Sequence, residues 1–200
     1  ATAVLGADGS LAPQTRPMGV RDLLTHTSGL TYDFMEDTSA GQLYRDARIM
    51  NDATRTLEEV IDALAKIPLA SQPGSRWHYS VGIDVAARLI EVLSGQSLGA
   101  FLNERIFGPL GMTDTGFSVA DGNLNRLSAM YGLPDLFGQD HTGTKLVEAA
   151  LGGFNECIDV SATYPTGAPE VFARGGFGLF STIGDYAKFA QMLLNGGRLD

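Results

Sequence analysis

Between Ser80 and Leu93 the apolar residues fall at helical spacing, with Ile83, Ala86, Ala87, Leu89, Ile90 and Leu93 on one inward face and Gly95 as the stop. A helix with one apolar face needs a second layer to bury it. The other strong signals are also helical. Thr56 and Glu59 form a capping box ahead of Leu57, Val60, Ile61 and Leu64, and Pro68 ends that helix. Ser97 caps a segment that should bury Phe101, Leu102 and Ile106. Ser181 and Thr182 cap a last helix with Asp185 near its positive end. Its stripe is Ile183, Tyr186, Phe189, Met192 and Leu193, and Gly196-Gly197 closes it.

Strand signals are few. Residues 1–17 read as an extended or hairpin segment with a turn at Asp8-Gly9. Residues 20–24 make a helical turn, and Gly29 follows it in a left-handed conformation. Residues 31–55 read as a loop with one short helix near 42–50, an irregular insertion of the kind that overhangs a site. Residues 113–170 are loop-rich, with short strand-like pieces near 126–133. The expectation is an α+β chain in three parts: a mainly helical 1–112, an irregular 113–172, and a glycine-rich loop with a helix over 173–200. Much of the sheet that the helices should cover is expected outside these residues.

Composition removes several classes. The formal charge is −9 with no basic run, which disfavours a nucleic-acid partner. No apolar run approaches the roughly 20 residues of a membrane span. The single cysteine, Cys157, sits in an acidic flank that opposes thiolate formation, and it reads as structural. Three histidines without ligand spacing predict no metal, and no cofactor is expected. The chain opens at Ala1 and stops at Asp200, both in mid-pattern, so missing N- and C-terminal segments are expected. Nothing points to a compartment.

The candidate chemistry lies in Pro73-Gly74-Ser75-Arg76-Trp77-His78-Tyr79-Ser80-Val81-Gly82. A Pro-Gly turn leads through an aromatic run to a Tyr-Ser pair at a helix mouth. By itself, Tyr79 reads as a half-buried aromatic with a satisfied hydroxyl. A tyrosine so placed can also transfer protons.

Four stretches, in order and spacing, resemble the serine β-lactamase-like superfamily of class C β-lactamases, penicillin-binding D-alanyl-D-alanine carboxypeptidases and family VIII carboxylesterases. They are residues 20–30 (Val-Arg-Asp-Leu-Leu-Thr-His-Thr-Ser-Gly-Leu), 73–80, 106–115 and 175–186. The resemblance covers nearly the whole chain. It implies a helix-rich central portion of that fold, with most of its antiparallel sheet outside. It also implies acyl transfer through the serine of a Ser-x-x-Lys motif, with an acyl-enzyme and an oxyanion hole.

The family's Tyr-x-Asn motif lands on Tyr79-Ser80-Val81. Tyr79 thereby inherits the role of general base and then acid. An ordinary tyrosine, with a pKa near ~10, is about one part in a thousand ionised at pH 7. Holding such a phenol as phenolate takes about 4 kcal/mol from nearby cations. The role therefore demands a cation beside it, or a lysine as base with the phenol as relay.

The chain lacks Ser-x-x-Lys: Ala63, Thr142 and Asp185 precede Lys66, Lys145 and Lys188 by three residues. The nucleophile and the later Lys-Thr-Gly-type strand should lie outside these residues, so the fragment alone should not turn over substrate. His141-Thr142-Gly143 resembles that strand in letters but falls in the wrong order. Val81 departs from the motif's asparagine, whose amide recognises the acylamino group of a β-lactam or peptide. This shifts the implied substrate toward a small carboxylic ester. A β-lactamase, a D-alanyl-D-alanine carboxypeptidase-type peptidase, or an inactive binding module remain the alternatives.

Ser80, Val81, Trp77, Gly175, Gly176 and Phe177 are the expected lining of the substrate site. Trp77 reads equally as core or as pocket wall. In the family His26 is structural, with its ring satisfied by backbone. Ser28 reads as a turn serine, and the glycine-rich loop at 174–178 could cradle an anion by its backbone.

Overall fold

The computed structural model describes residues 3–35, 38–49, 54–128, 130–132, 156–158 and 173–199. β1 (Ala3–Leu5) and β2 (Leu11–Pro13) form an antiparallel hairpin around Asp8-Gly9. The helices α1 (Val20–Leu24), α2 (Ser39–Asp46), α3 (Leu57–Leu64), α4 (Gly82–Ser94) and α5 (Leu98–Leu102) follow. α5 runs into a π-helical turn, Asn103–Phe107, and a 3-10 turn covers Asp121–Arg126. β3 (Met130–Gly132) pairs antiparallel with β4 (Glu156–Ile158), placing Tyr131 opposite Cys157. α6 (Ile183–Leu194) closes the described chain. The family's large sheet is absent from the described residues, which hold only these two-stranded ladders.

Local chemistry explains most boundaries. Thr56 and Glu59 close their capping box, each side chain meeting the other residue's backbone N–H. Ser97 and Thr182 accept from the amides of Ala100 and Asp185. Gly95 ends α4 at φ 70°. Two boundaries differ from expectation. The short helix of the 31–55 loop covers 39–46 rather than 42–50, because Thr38 accepts from the Gly41 amide and starts it early. Residues 121–126 form a 3-10 turn rather than the start of a strand at 126, and Met130–Gly132 is strand. His141, Thr142 and Gly143 lie outside the described residues.

The main core gathers Leu23, Leu30, Tyr44, Ile49, Val60 and Leu69 under α1 to α3 and the start of α4. A second cluster joins Leu57, Ala87, Leu98, Phe117 and Ala173. Each fully buried aliphatic or aromatic side chain of this kind stabilises by about 1.5–3 kcal/mol. α1 and α4 touch so closely that a Cβ on Gly82 would stand 2.7 Å from the Leu23 carbonyl oxygen.

Several expected apolar faces are not buried. Leu93 of α4 is exposed, and Phe101, Leu102 and Ile106 are half-buried beside the buried Leu98 and Phe107. Ile183, Tyr186 and Leu193 of α6 are exposed, while Phe189 and Met192 are half-buried. The periodicity predicted the stripe; no layer among the described residues covers it.

Candidate active site

The four sequence stretches meet in two pairs. Segment 26–31 forms a rail for segment 70–81. The carbonyls of His26, Thr27 and Gly29 accept from the amides of His78, Gly74 and Ala70, each at 2.7 Å. Gly29 sits at φ 84°, and a Cβ there would stand 2.1 Å from the Ser71 carbonyl oxygen, so the rail requires glycine. The third and fourth stretches meet at Asp185, which accepts from the Asp114 amide at 2.8 Å and the Thr115 hydroxyl at 3.0 Å. Lys188, at 2.9 Å, holds the Asp185 carboxyl below the usual carboxylate range. Phe180 and Gly116 exchange backbone hydrogen bonds beside it.

Tyr79 stands at the end of the rail as part of an aromatic ladder. Its ring lies 4.7 Å from His26 and 5.1 Å from Tyr32, centroid to centroid. Trp77 meets His26 edge-on at 6.2 Å, and Phe34 stacks on Tyr32 at 4.8 Å. The outer rungs are open: Trp77 is 67% exposed and Tyr79 42%. Trp77 is not part of the core among the described residues.

His26 adopts φ 54°, unusual for a residue with a side chain. The conformation aims its ring back at the turn that follows the rail. Nδ1 accepts from the Ser80 amide at 3.3 Å and lies 3.5 Å from the Ser80 hydroxyl. His78 points inward, its Nε2 2.8 Å from the Thr31 hydroxyl. Ser28 is buried, and its hydroxyl accepts from the Leu30 amide at 3.3 Å within its own turn.

Ser80 and Val81, expected to line the pocket, are buried instead. Val81 is 1% exposed and belongs to the main core, because the first turn of α4 is pressed onto α1. The position offers neither an amide nor open surface. Gly175 and Gly176 donate their amides to Oδ1 of Asp84, at 3.0 and 3.3 Å. The loop amides are thus engaged by an internal carboxyl. Phe177 is half-buried beside it.

Two residues of this region carried no role in the sequence reading. Tyr32 lies in the irregular insertion, and Asp84 lies in the first turn of α4. Asp84 is in fact 1% exposed, and burial pushes its carboxyl up against the pull of the Gly176 and Gly175 amides and Arg174. Burial, then the charge of Asp84 and the hydrogen-bonding neighbour Tyr79, push the Tyr32 phenol above the ordinary phenol range.

A polar cavity of about 360 Å³ opens elsewhere, between residues 113–128 and 180–182, where Arg126 grips Asp114 at two points, both 3.0 Å. It contains none of the aromatic ladder. Among the described residues no group of three His, Cys, Asp or Glu side chains is placed to hold a metal ion. No single described helix is long and apolar enough to cross a membrane.

A family model described as Beta-lactamase matches residues 9–200, taking in all four stretches. The chain belongs to the Beta-lactamase family. Among its relatives in this family is the lovastatin esterase of Penicillium rubens, 35% identical over 188 residues, covering 94% of this chain and 42% of the relative. The solved structure of EstCE1, a hydrolase with promiscuous acyltransferase activity, matches with TM-score 0.64 and 26% identity over 96% of this chain and 48% of that one. Simvastatin synthase (LovD) from Aspergillus terreus matches with TM-score 0.66 and 26% identity, over 99% and 45%. The Beta-lactamase family thus includes esterases and acyltransferases, and the α+β fold is that of this group. The chain spans less than half the length of each of these relatives.

Proposed function

We propose that these residues are the central portion of an enzyme that hydrolyses small carboxylic esters through a serine acyl-enzyme. Tyr79 is the proton-transfer group. The observation that carries this reading is the position of Tyr79. It is open on one side and gripped on the other by His26 and Tyr32, at the end of a rail built from two of the family's motifs.

Tyr79 takes the proton of the attacking serine and returns it to the leaving alcohol. The serine and its lysine partner are contributed by sequence outside these residues, since no Ser-x-x-Lys occurs within them. Trp77 walls the open face, and Phe177 and Gly176 form its rim. Val81 offers no side-chain amide to the acylamino group of a β-lactam or peptide, and a simple ester has no such group to recognise, which favours esters. The names of the esterase and acyltransferase relatives support the same direction.

The test is p-nitrophenyl acetate and butyrate hydrolysis by the full-length parent and its Tyr79→Phe variant. A fall in kcat of about 10²–10⁴ is expected. An unchanged kcat removes Tyr79 from the mechanism. Turnover of a chromogenic cephalosporin without ester hydrolysis moves the assignment to β-lactams.

A further inference from the structure

Residues 77–80 alternate in exposure: Trp77 and Tyr79 are exposed, His78 and Ser80 buried. His78 turns inward to the Thr31 hydroxyl, and Ser80 meets His26. This alternation is that of an extended chain, whose i and i+2 side chains stand on one side, roughly 7 Å apart. Trp77 and Tyr79 therefore share the outer face of the segment. The His26 ring touches both, Trp77 edge-on at 6.2 Å and Tyr79 at 4.7 Å.

That face is held in place. On either side of Trp77, the Gly74 and His78 amides donate to the Thr27 and His26 carbonyls at 2.7 Å. The Ser75 amide closes a turn on the Gln72 carbonyl at 3.0 Å. An exposed indole on a fixed backbone loses little freedom when a ligand covers it, and exposed apolar surface of this size marks a contact site. The exposed residues before it are Gly74, Ser75 and Arg76, so the apolar surface that this stretch offers is ring surface.

We infer that Trp77 is a specificity-determining residue: it receives the leaving alcohol of the ester and selects aromatic alcohols over saturated ones of the same size. As the serine oxygen bonds to the acyl carbon and the acyl–oxygen bond to the alcohol breaks, Tyr79 passes the serine's proton to the departing oxygen. The substituent on that oxygen then lies over the face that Tyr79 shares with Trp77. An aromatic ring there meets the indole in an offset or edge-to-face arrangement and gains more than its area alone gives, whereas a saturated ring gains the area only. The difference corresponds to about two- to tenfold in rate. The inference rests on Tyr79 being the proton-transfer group.

The experiment uses the full-length parent and two pairs of esters. Benzyl and cyclohexylmethyl butyrate differ in the ring of the alcohol. Ethyl phenylacetate and ethyl cyclohexylacetate differ in the ring of the acyl group. Wild type should favour the benzyl ester about two- to tenfold in kcat/KM. Trp77→Phe, which keeps a ring, should retain a preference. Trp77→Leu should abolish it and leave the acyl-side ratio where it stands. Benzyl alcohol should also shield the Trp77 fluorescence, taken as wild type minus Trp77→Phe, from quenching by iodide, and cyclohexylmethanol should shield it less.

A benzyl preference unchanged in Trp77→Leu overturns the inference. So does an equal or larger fall in the acyl-side ratio, which would place Trp77 in the acyl pocket. An indole closed to iodide before any alcohol is added overturns it too, since another part of the parent then covers that face. If Trp77→Leu does not fold, the shielding by the two alcohols decides. If Tyr79→Phe leaves kcat intact, the catalytic reading of Tyr79 falls, while the benzyl ratio and the shielding still judge Trp77.

Discussion

The backbone N–H of Ser80 donates to Nδ1 of His26 at 3.3 Å, across 54 residues of sequence. Through that bond and the His78 amide on the His26 carbonyl, one residue in a left-handed conformation holds both sides of Tyr79. His26→Ala loses the ring acceptor and keeps the unfavourable φ, so a destabilisation of about 1–2 kcal/mol is expected. His26→Asn should lose less, because asparagine tolerates this φ and its side-chain oxygen can accept. Urea denaturation followed by Trp77 fluorescence checks both variants, and an order reversed between Asn and Ala contradicts the role assigned to the ring.

Asp84 predicts an unusual pH dependence. Its folded pKa is raised above the ordinary value of 3.8, first by burial. The folded state therefore holds the proton more tightly than the unfolded chain, and the contribution is fully present below 3.8. It is lost as pH rises through the folded value. Asp84→Asn, which cannot ionise, should gain stability relative to wild type as pH is raised above 3.8. Denaturation midpoints of the two proteins that run parallel over this range would refute it.

Asp22 predicts the opposite slope. Arg16 reaches both of its carboxylate oxygens at 2.8 Å, and the Gly19 amide donates to it at the mouth of α1. Arg16, then Gly19, hold this carboxyl far below its ordinary 3.8. Its contribution is present above 3.8 and disappears as pH falls through the folded value. Asp22→Asn should lower the melting temperature at neutral pH and converge with wild type in acid. Equal melting temperatures at neutral pH would show that the pair is inert.

Gly175→Ala should be among the most damaging single-methyl additions. The added Cβ would stand 2.3 Å from the Ile83 carbonyl oxygen and 2.8 Å from the Ala87 Cβ, both on α4. Overpacking of this kind costs about 1–3 kcal/mol and would also pull the loop amides from Asp84. Gly122→Ala meets nothing within 4 Å and serves as the control, with an expected change within about 0.5 kcal/mol. Comparable thermal midpoints for the two variants would show that the loop does not pack on α4 as described.

Along α6, Ile183 is 92% and Leu194 82% exposed. The isolated 200-residue chain should bind a hydrophobic dye and self-associate, and Ile183→Lys with Leu194→Glu should reduce both without lowering the denaturation midpoint. Undiminished dye binding in the double variant would place the sticky surface elsewhere.

The sequence alone determined what is local. Caps at Thr56, Ser97 and Thr182 and the stop at Gly95 follow from bonds made within a few residues, so spacing and residue type predict them. It also determined the family, through four stretches whose order is itself a sequence property. The same letters could not say that Val81 faces the core, that Trp77 faces out, or that the loop amides of Gly175 and Gly176 are already taken by a carboxyl 91 and 92 residues away. Those facts depend on which surfaces meet across long chain separations, and periodicity carries no information about that. Asp84 is the sharpest case. A first-turn aspartate reads as a solvent-facing helix acid, and only the packing of the glycine-rich loop onto α4 makes it buried, raised in pKa and bound to the loop amides.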